Sequence, residues 1–188
     1  PELSVDEIRR LVAGFTRRGV WKVRLTGGEP TTRRDSVEIA RAVSSTPGIR
    51  RVAITTNGNR LRELAAPLRA AGVSAINISV DSLESETFKK ITGTDCFKQV
   101  FAGVDEAVKV GFESIKINAV LLREFNSGEI HRFMEWVRTR PLSFRFIELM
   151  RTGKNENFFN QQHLSANTVQ YELLKAGWTR IQGLAGEG

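Results

Sequence analysis

The segment Lys22-Val23-Arg24-Leu25-Thr26-Gly27-Gly28-Glu29-Pro30 is the part of this chain best equipped for chemistry. An apolar strand ends there in two glycines, a carboxylate and a proline. Glycine carries no Cβ, so a ligand can approach the main chain closely and use its amides and carbonyls. Proline then interrupts the ladder and turns the chain outward. Arg24 adds a fixed positive charge on the strand just before the turn. Together these residues describe one wall of a small-molecule site. A tight strand-to-helix turn that holds no ligand uses the same residues, so the rest of the chain has to decide.

The elements that must position this turn alternate along the sequence. Apolar runs between turn signals predict strands at Trp21–Thr26, Arg51–Thr55, Ala75–Val80, Ser114–Leu121 and Leu142–Glu148. Ser4-x-x-Glu7 reads as a capping box, with Leu3 stapling onto Ile8 and an apolar stripe of Ile8, Leu11, Val12 and Phe15. Gly19 stands where a C-cap belongs. Asp35-x-x-Glu38 opens a second helix that ends before Thr46-Pro47-Gly48. A third covers Leu61–Ala71 and is closed by Gly72, with Pro67 expected to displace its start. Phe97, Val100, Phe101, Val104 and Val108 form a fourth that ends at Gly111, and a fifth runs from Gly128 to Thr139. Strand and helix alternation predicts a parallel sheet wrapped by helices.

Within the strands, apolar and polar residues take opposite parity. Ile76, Ile78 and Val80 alternate with Asn77, Ser79 and Asp81. Val23 and Leu25 alternate with Lys22, Arg24 and Thr26, and Ile115 and Ile117 with Lys116 and Asn118. A parallel sheet buried on both faces reads as a continuous apolar run. Here one face suits helix packing and the other is polar. A curved sheet with a polar concave side meets that pattern, as does a sheet with one wet face. The last strand is expected to depart from it, because Phe144 and Phe146 share parity with Glu148 while Arg145 points the other way.

Composition narrows the classes. At 188 residues the chain suits one domain with a sizeable core. No apolar stretch approaches the roughly 18 residues of a membrane helix. No signal peptide is visible, and a cytoplasmic location follows as the expectation. The single cysteine, Cys96, excludes an internal disulfide and any multi-cysteine metal site within these residues, so no metal ligand is assigned. Twenty-eight basic against 21 acidic residues give a net charge of +7, which invites anionic partners. Arg9, Arg10, Arg17 and Arg18 fall on an outer helix face. A basic stripe interleaved with aromatics is missing, which argues against nucleic acid. The expected organisation is a single barrel-type domain over residues 1–182 and an unstructured tail over 183–188.

These residues carry a resemblance. Leu25-Thr26-Gly27-Gly28-Glu29-Pro30 resembles the glycine-glycine-glutamate-proline motif of radical S-adenosylmethionine (SAM) enzymes. More specific are Arg33-Arg34-Asp35, Thr55-Thr56-Asn57-Gly58, Ile76 to Leu83, Lys116-Ile117-Asn118 and Arg145 to Met150. In this order and spacing they resemble the GTP 3',8-cyclase family of molybdenum cofactor biosynthesis, from Leu3 to about Trp178. The resemblance implies an α/β fold: an incomplete TIM-like (β/α)6 parallel barrel of the radical SAM type, lacking its first strand and cluster loop. It implies an enzyme in which a 5'-deoxyadenosyl radical acts on GTP to give the cyclic precursor of molybdopterin. The implied cofactors are SAM and 4Fe-4S clusters, and the implied partners are GTP, a second copy in a homodimer and a downstream pterin-synthesis protein. No membrane partner is implied.

By the same resemblance, Arg24, Thr55 and Lys116 correspond to GTP contacts, and Gly28, Ser79 and Met150 to SAM contacts. No catalytic residue is assigned. The chemistry suits these types. A glycyl main chain and a serine hydroxyl can meet the amino-acid end of SAM, and a methionine offers a soft surface to a planar base. Arg24 and Lys116 can converge on a triphosphate, which would offset the cost of desolvating them. Arg24 pairing with Glu29 or Asp81, Lys116 snorkelling past a strand end, Ser79 satisfying a nearby backbone group, Met150 filling a gap in the core, and an Arg145–Glu148 pair are the structural alternatives. His131 and His163 read as bystanders.

The chain departs from the family in lacking the Cys-x-x-x-Cys-x-x-Cys loop and the later cysteine triplet. It therefore resembles the middle of the enzyme, with an exposed edge at the first strand, and turnover by this polypeptide alone is not expected. Another radical SAM enzyme, of the peptide-modifying type, and a non-enzymatic nucleotide-binding barrel are the alternative functions.

Overall fold

A computed structural model describes residues 2–181. Strands β1 (Lys22–Leu25), β2 (Arg51–Thr56), β3 (Ala75–Ser79), β4 (Ser114–Leu121) and β5 (Ser143–Glu148) form one sheet in the order β1-β2-β3-β4-β5. All four pairings are parallel. The helices are α1 (Val5–Thr16), α2 (Ser36–Ser44), α3 (Leu61–Ala70), α4 (Ser85–Thr92), α5 (Phe97–Val110), α6 (Ile130–Arg138), α7 (Glu156–Gln162) and α8 (Ala166–Lys175). Spatial order equals chain order, so each crossover steps one strand along in the same direction. That is the winding of a (β/α) barrel rather than of a doubly wound sheet. Among the described residues β1 pairs only with β2 and β5 only with β4, which makes a partial barrel with two open edges.

The outer face of the sheet and the inner faces of the helices share one core. Val52, Ile54, Ile76, Ile78, Ile115 and Ile117 pack in a single cluster with Val12, Ile39, Val43, Leu61, Leu68, Val104 and Phe133. β4 shows the alternation in full: Ile115, Ile117, Ala119 and Leu121 are buried, while Ser114, Lys116, Asn118 and Val120 are half-buried. β5 obeys the same rule. Ser143 and Arg145 stand opposite Lys116 and Asn118, whereas Phe144 and Phe146 stand opposite Ile117 and Ala119. Both phenylalanines pack against Phe133 of α6, with ring centroids 4.6 and 5.9 Å away. The expected departure of this strand is therefore absent. Glu148, on the phenylalanine parity, lies past the packed region and accepts from Ala166 N at 2.7 Å, at the start of α8.

Several local expectations change. The capping box of α1 forms, with Glu7 N on Ser4 Oγ at 3.3 Å and Ser4 N on Glu7 Oε2 at 2.8 Å. The stripe it introduces is only half used, since Val12 is buried but Leu11 and Phe15 are exposed. Asp35 occupies the N-cap of α2 without capping it, because Arg33 holds both carboxylate oxygens at 2.9 and 2.6 Å. Pro67 lies inside α3 and leaves its start at Leu61 unmoved. Helices α4, α7 and α8 are additions to the expected set. The expected tail at 183–188 lies outside the described residues. No helix among those described is long and apolar enough to cross a membrane.

Gly103 sets how closely α5 approaches α3. A Cβ there would stand 2.7 Å from the Gly58 carbonyl oxygen and 2.9 Å from Leu61 Cβ. Any side chain must push the helices apart. Gly103→Val is expected to lower unfolding free energy by at least about 2 kcal/mol in a urea titration. An unshifted midpoint would show that the two helices are not in this contact.

Candidate functional site

The parallel register sorts the concave side chains into levels. Lys22 and Arg51 are cross-strand partners at the strand starts. Above them run Arg24, Ala53, Ala75 and Ser114. The next level holds Thr55, Asn77, Lys116 and Ser143, and the one above that Ser79, Asn118 and Arg145. A cavity of about 470 Å³ opens over the lower levels. Arg24 and Lys116 both line it, from strands separated by β2 and β3. Lys22, Arg51 and Arg145 also line it, and Glu113 is its one carboxylate, so positive charge dominates. Such a cavity concentrates anions.

Thr55 sits one level above Arg24, and its Oγ1 accepts from Asn77 Nδ2 at 3.2 Å. Arg24 is exposed, because β1 is an edge strand; the expectation that it is desolvated does not hold. Glu29 and Asp81, its supposed carboxylate partners, are engaged elsewhere. Glu148 likewise takes Ala166 N and His163 Nε2, so no Arg145–Glu148 pair forms. Lys116 is half-buried within its strand rather than at a strand end. Arg145, Lys22 and Arg51 are cavity residues beyond the expected set. Parity was the available signal for all three.

The second group lies at the other end of the strands. Gly28 follows β1, Ser79 ends β3 and Met150 follows β5. All three therefore stand at the C-terminal rim, where (β/α) barrels place their sites. Met150 is 75% exposed, which removes the gap-filling alternative. Gly28 is exposed, with no atom within 4 Å of where a Cβ would stand. Gly27 has φ 150°, a conformation only glycine adopts readily. Ser79 is half-buried beside these loops.

What holds the rim is a half-buried tie at Glu29 and a buried one around Asn126. The Glu29 carboxylate accepts from Thr31 N and Thr31 Oγ1 at 3.0 and 2.6 Å, and from Thr56 Oγ1 and Asn57 N at 2.8 and 2.6 Å. It thereby joins the loop after β1 to the end of β2. Farther round, Asn126 Nδ2 donates to Asp81 O and Val120 O at 2.7 and 2.8 Å, and Asn126 Oδ1 accepts from Leu122 N at 2.8 Å. Glu129 accepts from Ser82 Oγ and Leu83 N, each at 2.7 Å. Asp81 accepts from Val120 N at 2.8 Å; burial pushes its carboxyl above the ordinary aspartate range, and that bond opposes the shift. These contacts fix the loop that follows Ser79.

The rim fits SAM in the kinds of group it offers: an exposed glycyl main chain, a hydroxyl and an exposed thioether. An iron–sulfur cluster does not fit. Cys96 is the only cysteine, and no group of three His, Cys, Asp or Glu side chains gathers among the described residues. Cys96 itself lies at the N-cap of α5, with Sγ 3.2 Å from Thr94 Oγ1.

The parallel, singly wound sheet is that of a partial (β/α) barrel, and residues 1–137 match the Radical SAM superfamily. The chain belongs to that superfamily. It is 50% identical over 176 residues to a GTP 3',8-cyclase of Cronobacter sakazakii, covering 94% of this chain and 54% of that protein. It is 46% identical over 186 residues to a GTP 3',8-cyclase of Pectobacterium atrosepticum, covering 99% and 56%. The chain thus spans about half the length of these relatives. In fold it is similar to Streptococcus suis SuiB, with TM-score 0.75 and 17% identity over 93% of this chain and 40% of that one. A radical SAM methyltransferase from Sphaerobacter thermophilus superposes with TM-score 0.71 and 14% identity, over 93% and 55%.

Two predictions follow from the rim. Glu29→Ala leaves several donors without their acceptor and is expected to cost about 2 kcal/mol in urea denaturation, with faster exchange of the Asn57 amide. Unchanged exchange there would exclude the tie. At Glu148, the Ala166 amide and then His163 hold the carboxyl below the ordinary value of 4.5. A lowered folded pKa contributes stability that is full above the unfolded value and lost as pH falls through the folded one. Acid should therefore loosen the start of α8 in the parent chain, read by amide exchange, and Glu148→Gln should remove that dependence.

Proposed function

We propose that this chain is the substrate-binding wall of a GTP 3',8-cyclase, with SAM at its C-terminal rim and GTP in the cationic cavity below. The observation that carries the reading is the convergence of Arg24 and Lys116 on one cavity, beneath the glycyl turn. The 46–50% identity to GTP 3',8-cyclases supports the same substrate. SAM supplies hydrogen abstraction in this superfamily; the cluster it depends on finds no ligand set in these residues, so the roles here are those of binding and orientation.

Lys116 and Arg24 neutralise the phosphates from two successive levels, with charge-assisted hydrogen bonds as their main contribution. Thr55 accepts from Asn77 and so keeps its own proton for the substrate. Gly28 offers main-chain groups and Ser79 a hydroxyl to the amino-acid end of SAM, and Met150 covers its base. With the phosphates held low and SAM held at the rim, the ribose of GTP lies between them. The same reading carries a cytoplasmic setting, a homodimer and a downstream pterin-synthesis partner, each supported by the family resemblance alone.

In titration calorimetry on the polypeptide that carries this sequence, Arg24→Ala and Lys116→Ala are each expected to weaken GTP binding at least ~10-fold. Equal affinity in the parent and both variants would take these side chains out of the site.

A further inference from the structure

We infer that Arg51 reads the last phosphate of the substrate and sets a preference for a triphosphate over a diphosphate. The inference rests on the reading of this cavity as a GTP site. Arg51 begins β2 at the lowest level of the concave face, where Lys22 is its cross-strand partner. With the ribose near the rim, a phosphate chain extends downward past Lys116 and then Arg24. Successive levels on one face are about 6.6 Å apart, two residues of strand. The terminal phosphate is the one that reaches the strand starts.

Two features make this end of the cavity a built bay. The level of Arg24 is otherwise lined by Ala53, Ala75 and Ser114. Nothing longer than a hydroxymethyl group occupies these positions, so space remains beneath Lys116. Beside that space, Arg51 Nε is buried and has no hydrogen-bond partner. Arg51 as a whole is half-buried and lines the cavity, so its guanidinium fork can turn to a phosphate there, which would also give Nε a partner. On the other side, Glu113 also lines the cavity and repels an anion. The terminal phosphate is thereby directed toward Arg51.

The experiment compares GTP with GDP, and inorganic tripolyphosphate with pyrophosphate, by calorimetry on the parent chain, Arg51→Gln and Arg51→Lys, each checked for folding by thermal melting. The parent should favour the longer member of each pair. Arg51→Gln should reduce both preferences about 10-fold while GDP affinity holds, and Arg51→Lys should fall between. Equal loss for long and short ligands, or unchanged preferences in either folded variant, overturns the inference. If GTP binds through Arg24 and Lys116 but Arg51 leaves the ratios unmoved, only this inference fails. If GTP binds no better than tripolyphosphate while the Arg51-dependent preference persists, the guanosine reading fails and the phosphate-counting role stands.

Discussion

Each strand of this sheet has to bury one face against helices, and the two-residue period of the strand leaves the other face free of that demand. Ile76, Ile78, Ile115 and Ile117 meet the burial requirement on the outer side. Asn77, Lys116 and Arg145 can then be polar without weakening the core. Every cation of the cavity is positioned by an apolar neighbour one residue away. Shifting any strand by one residue would exchange the two sets and abolish core and cavity together.

Rigid strands alone do not make the rim usable, because the loops that leave them need anchors of their own. Glu29 and Asn126 supply these with the two strongest local devices available: a carboxylate accepting several donors, and a buried amide satisfied at both ends. Glu29 is thus the structural partner of the glycines that precede it. The glycines leave the main chain open, and the glutamate stops the opened turn from moving. A ligand held by Gly28 and Ser79 is consequently held relative to β2 and β4 as well, since both ties end there.

Strand positions, their parity and the alternating order were legible because apolar periodicity reports burial directly. Arg24 and Lys116 meeting in one cavity followed from parity too. What could not be read were the outcomes of competing contacts and of what packs beside each element. The exposure of Arg24 depends on what lies beside an edge strand. Asp35 fails as a cap because Arg33, two residues away, binds it more strongly than the helix amides do. Glu148 turns to α8, an element whose weak apolar pattern gave no warning. Arg51 carries the same parity as Arg24, yet only the fold leaves its Nε without a partner. The half-used stripe of α1 is similar: the spacing of Leu11 and Phe15 announces a helix but does not say what covers them.

The run of alanines and a serine across the middle of the concave face has a consequence for how such a protein can change. Side chains there are already near the smallest that a strand tolerates. Mutation has almost nothing left to trim, and glycine would weaken the sheet itself. Variation at Ala53, Ala75 and Ser114 can thus narrow the hollow at this level but scarcely widen it. At this level the width of the hollow belongs to the backbone, and substitution at these three positions does not increase it.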